Sequence, residues 1–174
     1  MFSSILSVFL SRMSERMMRN EIRIIYVECK PDFKLVEVLG IPKKKIKHVA
    51  GKGNVCRVLK KKGNSVGIVD EDPDCPQPSY LKDLQMVEES HGIKILSDNR
   101  SHNLLILLCP NLEAWILEAA KEAGIDVCNY NLPTNVSELH EVININVEKL
   151  EGLLRNLSDK SDRMRELRRI FIGV

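Results

Sequence analysis

The chain has 174 residues, of which 44% are hydrophobic and 29% are charged, and its 26 basic and 24 acidic side chains leave a net charge of +2. This composition is typical of one globular domain with an appendage and excludes a mostly disordered or fibrous chain. Because no apolar run approaches the roughly 18–20 residues that a membrane span needs, we expect no membrane partner.

The basic residues are concentrated in one segment. No acid lies between Glu37 and Asp70, and this interval holds nine lysines and arginines. They are Lys43, Lys44, Lys45, Lys47, Lys52, Arg57, Lys60, Lys61 and Lys62. Such a stretch indicates an anionic partner such as nucleic acid, although a solvated lysine-rich surface has the same composition.

Cysteine usage points to a reducing compartment. The five cysteines occur singly, without a CxxC or CxxH pair, which argues against a structural zinc site. They are Cys29, Cys56, Cys75, Cys109 and Cys128. An odd number without a disulfide framework predicts a cytoplasmic protein.

Residues 1–20 are treated as a separate N-terminal extension. No positive charge precedes their apolar segment and no small-residue cleavage site follows it, so they make a poor signal peptide. Two interpretations stay open. Either the start codon is placed too early, or the segment is an amphipathic helix that packs on the domain or on the second subunit of a homodimer.

From residue 22 onward, apolar strands alternate with amphipathic helices. Continuous β-branched runs predict strands at 22–27, 46–50, 65–69, 93–96 and 104–108. Helical spacing and capping residues predict helices at 33–40, 55–63, 79–92 and 111–124, with a tight turn at 51–54. This order predicts an α/β domain with a mostly parallel sheet flanked by helices.

The predicted α/β domain covers residues 21–130, and a C-terminal helical extension covers 131–174. Within the extension, apolar spacing predicts two helices, at 136–157 and 158–172. The four histidines are isolated in sequence, and we interpret each as a surface or core residue. They are His48, His91, His102 and His140.

Carboxylates directly follow two of the predicted strands. Glu28 follows the first, and Asp70 and Asp72 follow the third. Because parallel strands share their carboxyl edge, and because Asp-x-Asp in an extended chain directs both side chains to one side, we expect these carboxylates to converge. Like charges ~4 Å apart repel by ~4 kcal/mol, and an all-oxygen cluster relieves this by binding Mg²⁺ or Mn²⁺. A purely structural loop is the alternative, since DEDPDCPQP is rich in turn-forming residues.

These motifs resemble the Toprim fold of topoisomerases, bacterial primases, RecR-type recombination proteins, small ribosomal-RNA-maturing ribonucleases and OLD-type nucleases. VECKPD is similar to the family's strand ending in Glu with an Asp four residues later, here Glu28 and Asp32. VGIVDEDPD is similar to its strand ending in D-x-D. HVAGKGNV and NLEAWIL also resemble segments of small Toprim-like proteins, so the resemblance covers roughly residues 22–124. The family's glycine after the Glu is Cys29 in this chain.

The resemblance implies divalent-metal-dependent phosphodiester chemistry on nucleic acid, DNA or RNA, and most directly a nuclease. It implies Glu28, Asp70 and Asp72 as catalytic residues, with Glu28 as general acid/base or metal ligand. Mg²⁺ or Mn²⁺ would be held by Glu28, Asp70, Asp72 and Asp74. Phosphate or nucleic-acid contacts would come from Lys52, Gly51, Gly53, Lys30, Lys45 and Lys47.

Other functions are compatible with the same residues. One is a non-catalytic module that keeps the fold and binds nucleic acid or protein. Another is a phosphatase with Asp70 as nucleophile, which ranks lower because Asp74 stands where that chemistry usually has a hydroxyl. No tyrosine stands out as a strand-transfer nucleophile. Glu113, in the first turn of a predicted helix, either joins the acidic site or interacts with the helix dipole.

Overall fold

The computed structural model describes residues 23–172, in which six strands form one sheet. The strands are β1 (Ile25–Val27), β2 (Ile46–His48), β3 (Val66–Asp70), β4 (Gln85–Ser90), β5 (Ile93–Asp98) and β6 (Asn103–Leu108). Their order is β2-β1-β3-β6-β5-β4; the first four are parallel, and β5 runs antiparallel to both β6 and β4. The predicted α/β class with a mostly parallel sheet is confirmed.

Six helices flank this sheet within the described residues. They are α1 (Lys30–Val38), α2 (Lys52–Lys61), α3 (Leu112–Glu122), α4 (Val136–Ile145), α5 (Glu148–Lys160) and α6 (Asp162–Ile172). Helices α1 and α3 and the C-terminal helices pack on one face around the fully buried Trp115. Helix α2 covers part of the other face. The C-terminal helices therefore share the core of the sheet domain.

The helix predicted at 79–92 is wrong. Residues Ser79–Asp83 form a 3₁₀ helix, and the following residues form β4, which pairs with β5. His91 (φ +52°) and Gly92 (φ +67°) both adopt positive φ values, as the two central residues of a tight hairpin turn do. Gly92 thus ends a strand rather than capping a helix, and cross-strand pairing outweighs the helical spacing of the apolar residues.

Several predicted boundaries also shift. Helix α1 begins three residues early, because the Cys29 thiol accepts from the Asp32 amide while the Asp32 carboxylate accepts from the Cys29 amide. The tight turn predicted at 51–54 is wrong, since Lys52 already starts α2. The extension contains three helices, because the chain breaks at Asn146, whose side chain accepts a hydrogen bond from the Glu148 amide.

Three further expectations concern the N-terminal extension, the cysteines and membrane-spanning helices. The N-terminal extension, residues 1–20, lies outside the described residues. All five cysteines are free thiols. Among residues 23–172, no helix has both the length and the apolar character needed to cross a membrane.

Gly67 supplies a test of the packing between β3 and α2. A Cβ at this position would lie 2.8 Å from Val55 Cγ1 and 2.9 Å from methyl carbons of Leu59 and Leu105. Gly67→Ala should therefore lower the free energy of unfolding by about 1–3 kcal/mol, measured by urea denaturation. The control Gly53→Ala meets no atom within 4 Å. Equal stability of the two variants would contradict this packing.

Candidate metal and nucleic-acid site

Glu28 and Asp70 meet at the carboxyl edge of the sheet. Glu28 follows β1, Asp70 ends β3, and these strands are neighbours. The Asp70 amide donates to Glu28 Oε1 at 2.9 Å, although the two residues are 42 positions apart. The Leu112 amide donates to Asp70 Oδ1 at 2.7 Å, which places the first turn of α3 against the same carboxylate. Two parallel strands and a helix N-terminus thus position this pair.

Two more carboxylates are buried beside the pair. Asp32, in the first turn of α1, is fully buried. Its Oδ2 accepts from the Cys29 amide at 3.1 Å and from the Cys29 thiol at 3.0 Å. Asp32 Oδ1 is buried without a hydrogen-bond partner in the described chain. Glu113, in the first turn of α3, is only 5% exposed. We call Glu28, Asp32, Asp70 and Glu113 the carboxylate cluster.

Burial and neighbouring negative charges raise the pKa of three members of the carboxylate cluster, Asp70, Asp32 and Glu28. Burial, together with the charges of Asp32, Glu28 and Glu113, raises the pKa of Asp70 to about 9. Burial also raises the pKa of Asp32 to about 7, and the Glu28 and Glu113 charges add to this shift. The pKa of Glu28 is raised chiefly by burial, against hydrogen bonds from the Asp70 and Lys52 amides. The groups around the cluster therefore do not fully neutralise the negative charge of its ionised carboxylates.

Asp72 and Asp74 lie in the loop after β3. Asp72 has a φ of +43°, so the extended Asp-x-Asp geometry expected from the sequence does not occur. Asp72 Oδ2 lies 3.7 Å from Lys52 Nζ. Its charge still contributes to raising the pKa of Glu28, which places Asp72 at the border of the cluster. Asp74 is exposed in the loop.

Lys52 anchors this loop. Its side chain is 11% exposed, and Nζ donates to the Glu71 carbonyl at 2.8 Å and to Gln77 Oε1 at 3.2 Å. Glu71 itself forms an ion pair with Lys94 on β5, away from Glu28. Lys52 is thus a partly buried cation beside Glu28, and its charge works to lower the pKa of Glu28.

The AGKGN segment, residues 50–54, turns at Gly51 next to the end of β1. Gly51 has a φ of +92°, a conformation that favours glycine, and its amide donates to the Glu28 carbonyl at 2.9 Å. Gly53 lies in the first turn of α2, with space around its Cα. Cys29, which stands where the proteins that this motif resembles have glycine, is extended with a φ of −139°. A side chain at position 29 therefore costs no backbone strain.

The remaining predicted phosphate contacts do not all lie at the carboxyl edge of the sheet, since Lys45 precedes β2. Lys30 is exposed at the start of α1, and Lys45 is half-buried in the 3₁₀ turn before β2. Lys47 is exposed on the edge strand β2. It pairs with Tyr26, which packs toward the α2 side of the sheet.

Sequence reasoning missed the full membership of the cluster. The spacing in the sequence relates Asp32 to Glu28 but predicts no role for Asp32, and it leaves two roles open for Glu113, one in the acidic site and one with the helix dipole. The sequence predicts an isolated His140, whereas His140 Nδ1 lies 2.7 Å from Glu113 Oε1. No local sequence signal reveals that contact, because it depends on how α4 packs beside α3.

The donor chemistry of the cluster fits a hard divalent cation. Its ligands are carboxylate oxygens, and the orphaned, buried Asp32 Oδ1 lacks the partner that such an atom normally has. Within residues 23–172, no three His, Cys, Asp or Glu side chains are already arranged as a metal-ligand group. The residue types therefore fit Mg²⁺ or Mn²⁺, while a complete ligand set requires side-chain rotation or coordinated water.

Comparison with known proteins gives no family assignment. No protein-family model, curated protein or solved structure matches the chain. The function of the chain is therefore inferred from its own residues.

Proposed function

We propose that this protein binds Mg²⁺ or Mn²⁺ at the carboxylate cluster and cleaves phosphodiester bonds of nucleic acid. The observation that carries the proposal is the hydrogen bond from the Asp70 amide to Glu28 Oε1, at a place where burial, together with neighbouring carboxylate charges, raises the pKa of Asp70 to about 9. A cation competes with protons for such a cluster, because both relieve the same repulsion.

Each residue near the edge has a role in this proposal. Glu28 and Asp70 would hold the ion, with Asp72 as a further ligand once its contact with Lys52 opens. Asp32, in the first turn of α1, would add negative charge next to the ion through Oδ1, which has no hydrogen-bond partner in the described chain. Lys52 would hold the loop through its hydrogen bond to the Glu71 carbonyl. A bound divalent ion supplies charge neutralisation at the phosphodiester and lowers the pKa of a coordinated water.

A basic strip on the β2 edge and helix α2 supports an anionic polymer as substrate. We define this strip as the exposed side chains of Lys44, Lys47, Arg57, Lys60 and Lys61, on the β2 edge and helix α2. No acid lies between Glu37 and Asp70 to neutralise it within the segment. Phosphate affinity of this kind is independent of base sequence and depends on salt concentration.

The strip predicts a measurable salt dependence. The double variant Lys47→Gln/Arg57→Gln should reduce the slope of log affinity against log salt by about two, or about one per lost phosphate contact, in fluorescence-anisotropy titrations with labelled oligonucleotides. The double variant Lys149→Gln/Lys160→Gln, with exposed lysines on α5, removes the same charge as a control. The same slope for both double variants would place nucleic-acid binding elsewhere.

The proposed activity is tested with the full chain and end-labelled single-stranded and duplex DNA and RNA. We expect cleavage of at least one substrate with Mg²⁺ or Mn²⁺ and none with EDTA. Cleavage that persists in EDTA would contradict metal-dependent chemistry. Binding without cleavage under every condition would contradict nuclease function and favour the second candidate.

The second candidate is a non-catalytic module for nucleic acid or protein. The observation that favours it is that the described residues contain no preformed group of three metal ligands, with Asp72 engaged by Lys52. In that case no ion would bind at the carboxylate cluster, and the basic strip alone would carry the interaction. Nucleic-acid affinity without any effect of Mg²⁺ or Mn²⁺ on the protein distinguishes this module from the enzyme.

A further inference from the structure

Lys52 brings a positive charge to the border of the carboxylate cluster. Its side chain is only 11% exposed, and Nζ lies 3.7 Å from Asp72 Oδ2. The Lys52 amide donates to the Glu28 carboxylate, and while burial raises the pKa of Glu28, the Lys52 charge works to lower it. The first residue of α2 therefore contacts Glu28 through its main chain and Asp72 through its side chain.

The contacts of the Lys52 ammonium come from the loop after β3. Nζ donates to the Glu71 carbonyl at 2.8 Å and to Gln77 Oε1 at 3.2 Å. Both of these acceptors are neutral, whereas Asp72 forms an ion pair with the ammonium. Asp72 is therefore the loop carboxylate that balances the Lys52 charge, and it is also the residue proposed above as a further ligand of the divalent ion.

Other hydrogen bonds fix the main chain of this loop. Gln77 Nε2 donates to the carbonyl of Asp72 at 2.8 Å and to two further loop carbonyls at 3.1 and 3.0 Å. The Asp72 amide donates to the Pro110 carbonyl at 2.9 Å. The Asp72 side chain, in contrast, is 38% exposed. Its carboxylate can therefore turn away from Lys52 while the loop keeps its main-chain conformation.

We propose that the Lys52 ammonium is an internal counter-ion that competes with the divalent ion at this border of the cluster. The inference rests on the proposed ion binding and deepens it, because it assigns a residue that regulates the affinity for the ion. Two cations a few ångströms apart repel each other, and they share the negative charge of Glu28 and Asp72. Ion binding therefore turns Asp72 away from Nζ, while the hydrogen bond from Nζ to the Glu71 carbonyl persists.

Mn²⁺ affinity of the full chain without nucleic acid tests this role separately from catalysis. Lys52→Met removes the ammonium and should tighten Mn²⁺ binding about tenfold, measured at one fixed pH from the electron paramagnetic resonance signal of free Mn²⁺. The loss of the ammonium also favours protons, but a divalent ion carries twice the charge and gains more. Lys52→Gln, which keeps a donor for the Glu71 carbonyl, should tighten binding in the same way. Lys52→Arg keeps the charge and should stay near the wild-type affinity.

The matched control is Lys82→Met, which removes an exposed lysine of the 3₁₀ helix Ser79–Asp83 and should leave Mn²⁺ affinity unchanged. A purely structural Lys52 would give a change of the opposite sign, because a distorted loop weakens ion binding. Wild-type Mn²⁺ binding that neither Lys52→Met nor Lys52→Gln tightens, or that Lys82→Met tightens equally, would overturn this inference alone. Absence of Mn²⁺ binding by the wild type and by all Lys52 variants would contradict the proposed function and, with it, the role of Lys52.

Discussion

Asp70→Asn should lower nucleic-acid cleavage by about 10²-fold or more, because the proposed ion loses the carboxylate that ends β3. Asparagine has nearly the same size as aspartate, and its Oδ1 can still accept the hydrogen bond that the Leu112 amide donates at 2.7 Å. The fold should therefore survive the substitution. The measurement is the initial rate of cleavage at saturating Mg²⁺.

The control for this variant is Asp83→Asn. Asp83 is exposed at the end of the 3₁₀ helix Ser79–Asp83, and the substitution makes the same chemical replacement of a carboxyl by an amide. It should leave cleavage unchanged. Comparable activity of Asp70→Asn, Asp83→Asn and the wild type would contradict a metal mechanism at the carboxylate cluster.

The second large effect concerns stability and pH. Asp70 and Asp32 have pKa values raised to about 9 and about 7 in the folded protein, from ordinary values of 3.8. Because the folded state holds these protons more tightly than the unfolded state, the stabilisation is complete below about pH 4 and is lost as the pH rises through the folded pKa values. Without divalent ions, the free energy of unfolding should fall between about pH 5 and about pH 9.

The slope of this decrease is measurable by urea denaturation. Each group protonated only in the folded state contributes up to ~1.4 kcal/mol per pH unit. Asp70→Asn should flatten the decrease above about pH 7, whereas Asp83→Asn should keep the wild-type slope. Added Mg²⁺ should stabilise the wild type at alkaline pH, because ligand binding to the folded state shifts the equilibrium. A free energy of unfolding that rises from about pH 5 to about pH 9 would contradict this electrostatic account.

The sheet could be predicted because its strands are continuous apolar runs. Strands such as β3 and β6 are buried almost throughout, and their composition distinguishes them from helices. β4 escaped prediction because the apolar spacing of residues 79–87 also fits a helix, while its strand conformation depends on pairing with β5. Pairing with the next strand across the hairpin turn outweighs local preference there.

The candidate site was predictable only where strand ends determine it. Glu28 and Asp70 lie together because Glu28 follows β1 and Asp70 ends β3, and parallel neighbours end at the same edge. The left-handed conformation of Asp72 depends on loop contacts with distant residues, including the hydrogen bond from its amide to the Pro110 carbonyl. The pairing of Glu113 with His140 depends on tertiary packing of the C-terminal helices, which no spacing in the sequence encodes.

The most direct test of the central claim is the position of Mn²⁺ in a crystal of the full chain, located by its anomalous scattering. The account predicts a peak within about 2.0–2.6 Å of carboxylate oxygens of both Glu28 and Asp70, and its loss in Asp70→Asn. A wild-type crystal with no peak at this edge, grown at a Mn²⁺ concentration that saturates cleavage, would contradict the claim.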